Sequence, residues 1–159
     1  MKDIAPSPTP TSPVRARVRS PGSSRQRADY VPASEVRALL ADSLAARQAR
    51  LGAADIVSTD EAARIVQTTR VTINAWIAKG RAIGLTQTKR GYRLPRWQFE
   101  PSMWEALPRL SAALGVTEGW ALLSFLESPH GALNGITPRQ AIEQGLTDQV
   151  IRIAEHEGN

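Results

Sequence analysis

Arg70, Thr72, Asn74 and Lys79 fall within one ten-residue stretch, and Lys89, Arg90 and Arg93 follow shortly after. Their chemistry is that of hydrogen-bond donors aimed at anions and at flat polar edges. Guanidinium and ammonium groups donate to phosphate oxygens. The Asn74 amide sets a donor beside an acceptor, and Arg70 carries a planar fork of donors. Acid–base or nucleophilic chemistry has no comparable set. The chain has no Cys, His130 and His156 stand in unrelated segments without ligand spacing, and no glycine-rich phosphate loop occurs. Glu105, Glu118 and Glu127 have nothing that lifts them above surface charges. No enzyme activity, metal or cofactor is expected.

The charge around these donors is uncompensated. From Ala62 to Phe99, 38 residues hold eight basic side chains and no carboxylate. A solvated face without a partner ordinarily mixes both signs, so a polyanion is the better reading. Residues 1–50 carry net +5 and residues 51–100 net +4, whereas residues 101–159 carry net −4. Such asymmetry points to different partners for the two ends. No apolar run of about 18 residues is present, so no membrane span is expected. The basic N-terminus lacks an apolar segment before its prolines, so no secretory signal is expected either. Together with the absence of Cys, this fits a cytoplasmic protein.

Four segments would position these groups. Residues 1–30, rich in Pro, Ser, Thr and Arg, have little to bury and read as a disordered basic arm that either touches phosphates or is simply solvated. Residues 33–52 read as an amphipathic helix with Val36, Leu39, Leu40, Leu44 and Leu51 on one stripe and Gly52 at its stop. That helix either packs on the following domain or pairs with its copy in a homodimer. Residues 55–100 hold two short helices. Ser58 and Glu61 make a capping box for the first, and Thr69 caps the second, which runs from Arg70 to Lys79 and ends at Gly80. Ile65, Val66, Ile73, Trp76 and Ile77 would close a small core between them. Residues 82–88 and 92–97 read as two strands of a basic hairpin. Residues 101–159 are helical, with stops at Gly115 and Pro129 and a helix opened by Thr137 and Pro138.

The fold expected is therefore mainly α: a small winged helix-turn-helix followed by a small helical module. The second helix of such a unit enters a major groove of double-stranded DNA. Asn74 suits adenine and Arg70 guanine, with Thr72 and Lys79 on the same outer side. Lys89, Arg90 and Arg93 on the wing would hold phosphates or a minor groove.

The stretch STDEAARIVQTTRVTINAWIAKGRA, 58–82, resembles the excisionase/MerR-type pattern of helix, turn and recognition helix ahead of a wing. Gln67 stands where such motifs usually carry Gly and Thr68 where an apolar residue is usual, so Gln67 must avoid or tolerate a positive φ. Residues 119–159 resemble the toxin-binding domain of Xre/MbcA/ParS-type antitoxins, on Trp120, Leu126, the Ala132–Pro138 loop, Ile142 and Gly145. That resemblance implies an antitoxin whose C-terminal segment occupies the cleft of a RES-type, NAD-consuming toxin while its DNA-binding half represses the operon. Asn134, Gly135, Glu155, Glu157 and Gly158 would then meet the toxin. The acidic residues and a flexible end suit a basic cleft, since charge complementarity aids encounter. The family commonly carries an Xre-like helix-turn-helix rather than the excisionase-like one seen here. A stand-alone DNA-binding transcriptional regulator of plasmid or phage origin, whose C-terminal module only dimerises, is the alternative.

Overall fold

The computed structural model describes residues 32–86 and 91–159. Among them the chain is mainly α. In order it forms α1 (Ala33–Leu51), β1 (Ile56–Ser58), α2 (Thr59–Ile65), α3 (Arg70–Ala78), β2 (Arg93–Pro95), α4 (Pro101–Leu114), α5 (Gly119–Glu127), α6 (Pro138–Glu143) and α7 (Thr147–Gly158). Single 3-10 turns cover Arg96–Phe99 and Gly131–Leu133. The arm at 1–30 lies outside the described residues. No described helix is long and apolar enough to cross a membrane.

Local chemistry sets the helix ends. Ser58 and Glu61 form the capping box of α2, Thr69 accepts from the Thr72 N–H to cap α3, and Thr137 with Gln140 does the same for α6. Glu118 takes the N–H groups of Trp120 and Ala121 at the start of α5. Gly115, at φ 66°, closes α4 in the left-handed region that glycine occupies without strain.

The wing differs from the expected hairpin. β2 pairs with β1, setting Ile56 opposite Pro95, Val57 opposite Leu94 and Ser58 opposite Arg93. On the other edge of β2, the described part of the expected first strand, residues 82–86, contributes one bridge, Leu85 to Arg93, through two 2.7 Å hydrogen bonds. Gln98 explains why that pairing goes no further inward. Fully buried, it accepts from the Ile83 N–H at 2.7 Å and donates to the Ile83 carbonyl at 3.0 Å. The polar groups of Ile83 are therefore taken by a side chain rather than by a strand.

Two cores result. Val57, Ala62, Ala63, Ile73, Ile77, Ala82 and Leu94 fill the winged half. Alanines rather than Ile65 line the α2 side, and Ile65, expected inside, is 39% exposed. The larger core runs through α4 to α7, including Leu107, Leu110, Leu122, Leu126, Ile142 and Val150. Trp104 packs against both cores and meets Trp76 edge-on at 5.2 Å.

α1 is helical as expected, but only its C-terminal end docks. Arg50 there donates two bonds to Asp55 and two to Glu127, and Arg47 lies 5.0 Å from the Trp120 ring. The Glu127 hydrogen bond holds the Arg50 pKa above its ordinary value against the opposing effect of burial. Burial pushes the Asp55 carboxyl up, but the hydrogen bonds and charge of Arg50 outweigh it and hold the group low. Val36, Leu39, Leu40 and Leu44 stay exposed along the rest of the helix. Gly52 ends α1 in a right-handed conformation, not the left-handed stop its residue type suggested.

Candidate nucleic-acid interface

The α2–α3 unit places the predicted donors. Its turn depends on Gln67, whose φ of 53° lies in the left-handed region. The Thr68 N–H then closes onto the Ala63 carbonyl at 2.8 Å. Such a conformation costs a non-glycine residue about 1 kcal/mol. It turns α3 so that Ile73 and Ile77 face the core and the opposite side faces solvent.

On that outward side Asn74 and Lys79 are exposed. Arg70, at the first position of α3, is exposed and lies 3.3 Å from the Asp60 carboxylate. Both partners keep more than half their side-chain surface in water, so the pair is weak and easily exchanged for an anion. Thr72 sits differently. It is half-buried, and its hydroxyl lies 3.1 Å from that of Thr69, within the N-terminal cap. Arg93 is exposed in β2 between Ser58 and Leu85, which fixes its backbone on both edges. Lys89 and Arg90 lie outside the described residues.

The structure adds groups the sequence reading passed over. Arg64 is exposed on α2, and Arg81 stacks 4.5 Å from the Trp104 ring just beyond α3. A cavity of about 610 Å³ opens beside the start of α3, bordered by Arg70, Arg93, Ser58, Asp60 and Tyr92. The signal for Arg64 was present in the carboxylate-free stretch. Arg81 lies in the same stretch, and only its stacking was hidden, because Trp104 is distant in sequence.

The residues assigned to a toxin lie on the helical module, in the loop after α5 and at the end of α7. Asn134 and Gly135, at φ 56° and 84°, form the exposed tip of the loop after α5. His130 anchors this loop, accepting at its carbonyl from Leu133 and Gly135, and its ring nitrogen lies 2.9 Å from Glu157. Glu155, Glu157 and Gly158 belong to the last turn of α7. The flexible end expected there is helical instead. A side chain at Gly158 would collide with the Ala113 carbonyl, so glycine lets α7 lie close against α4 to its final turn.

This geometry defines a mainly α chain carrying a small winged helix-turn-helix-like unit. No protein-family model, curated protein or solved structure matches it.

Proposed function

We propose that this protein is a DNA-binding repressor and the antitoxin of a type II toxin–antitoxin pair. On this reading α3 lies in a major groove of double-stranded DNA and represses the protein's own operon. Arg70, Asn74 and Lys79 face the bases and nearby phosphates, Arg93 with Lys89 and Arg90 follows the backbone, and Thr72 holds the helix end. The observation that carries the reading is the outward face of α3, rigidly capped and free of carboxylates from Ala62 to Phe99. Arg70 adds support, because a cation at a helix N-terminus works against the helix dipole and its exposed pair with Asp60 offers little stability in return.

The module at 101–159 would neutralise a RES-type toxin. Support comes from its net −4 charge and from the His130–Glu157 pair, which ties the Asn134–Gly135 loop to the acidic end of α7. The other reading is a stand-alone cytoplasmic regulator whose only protein partner is its own copy. The exposed row on α1, where Val36, Leu40 and Leu44 recur every four residues, offers a second copy a surface and suits the homodimer of either reading.

Co-expression with the product of the adjacent gene, followed by light scattering, separates the two. A stable hetero-complex lost on Glu155→Lys with Glu157→Lys supports the antitoxin. A lone homodimer that binds DNA supports the regulator.

A further inference from the structure

The centre of the outward face of α3 is apolar. Opposite Ile73 and Ile77, a helix of 3.6 residues per turn sets Val71, Ala75 and Ala78 in one strip, flanked by Asn74 and Lys79. All five are exposed. Val71 is 78% exposed, more than any other large apolar side chain among the described residues. It lies in the first turn, where the Thr69 cap fixes the backbone, and its branched side chain has restricted freedom there. Val71 adds nothing to the core and is only a moderate helix former, so neither packing nor propensity accounts for it. Ala75 and Ala78 project one methyl each and let the helix approach a flat surface closely.

In the major groove the apolar group on a base edge is the C5-methyl of thymine. We infer that Val71, with Ala75 beside it, reads a thymine methyl, so that α3 selects a T-containing step next to the base that Asn74 contacts. Val71 thus becomes a specificity-determining residue in addition to the polar ones. The inference rests on the DNA-binding reading above. It has a chemical corollary: 5-methylcytosine presents a methyl at the same groove position, and it should therefore satisfy Val71 where unmodified cytosine does not.

The test uses the full chain and a random-sequence duplex pool. The sequence enriched by the wild-type chain is resynthesised with each thymine replaced in turn by deoxyuridine, which removes only the methyl. Loss of one methyl contact should weaken binding about fourfold at one thymine. Val71→Ala should bind the thymine and deoxyuridine duplexes alike, with unchanged helix content, because the side chain is exposed. If the enriched duplex binds but no deoxyuridine position matters, or Val71→Ala keeps the discrimination, Val71 is not the reader and DNA binding stands. If the pool yields no enriched sequence, sequence-specific binding and the Val71 inference fall together.

Discussion

Between Ala62 and Phe99 the only ion pair among the described residues is Arg70 with Asp60, whose carboxylate lies just outside that stretch. Between Pro101 and Asn159, Arg109 meets Asp148 at 2.8 Å, Arg139 meets Glu143 at 2.9 Å and His130 meets Glu157 at 2.9 Å. Arg139 also stacks 4.5 Å from the Trp97 ring, and the Arg109 hydrogen bond holds the Asp148 carboxyl low. One half thus keeps its cations for solvent or a partner, while the other commits much of its charge to its own surface. Net charge alone would describe these halves as basic and acidic. Their pairing pattern says more, because an unpaired cation on a rigid element can take a phosphate without first losing a bond.

The largest effect should come from the joint between the halves. Gln98 buries its amide against Ile83, which belongs to the larger core, while the neighbouring Ala82 belongs to the smaller one. Gln98→Ala leaves both polar groups of the Ile83 backbone buried and unsatisfied. It should cost about 3 kcal/mol in urea unfolding. Trp76 in one half and Trp120 in the other should report a single, coincident transition. Separate transitions would show that the halves unfold as independent units.

A second comparison tests the charges directly. Replacing Arg70 and Arg93 with Ala should weaken DNA binding about tenfold or more and flatten the dependence of log K on log salt by about two. Replacing Arg109 and Arg139 with Ala should leave both quantities unchanged. Equal losses in the two variants would mean that only overall charge matters and that the winged half holds no defined interface.

The smallest effect concerns the turn. Gln67→Gly should raise unfolding stability by up to about 1 kcal/mol, since glycine adopts the left-handed conformation freely. A loss instead would mean that the Gln67 side chain makes a contribution larger than its backbone strain.

The sequence was most legible where one turn of chain contains the whole cause. The Ser58–Glu61 box, the Thr69 cap, the Gly115 stop and the Thr137–Pro138 start each depend on residues within a few positions of one another. What it hid depends on distant partners. β1 has only three residues, and its pairing with β2 joins positions far apart in the chain. Gln98 looks like any polar residue until Ile83 comes to lie over it. Arg50 likewise has no visible role until α5 brings Glu127 to it. The stripe on α1 was visible, but its exposure was not, because periodicity names a face without naming what covers it. On the outward side of α3, polarity singles out Asn74 and leaves Val71 unmarked. The helical spacing that opposes Val71 to Ile73 and Ile77 was in plain view. Thr72 was assigned to the outer side on its polarity, yet its hydroxyl lies within the cap.

The central claim is that α3 reads bases rather than merely resting on phosphates. The most direct measurement compares wild-type and Asn74→Ala full chains on the enriched duplex and on random duplex of the same length. The account predicts a loss of about tenfold to a hundredfold on the enriched duplex and little change on the random one. Equal losses on both, or no preference by the wild-type chain, would contradict it.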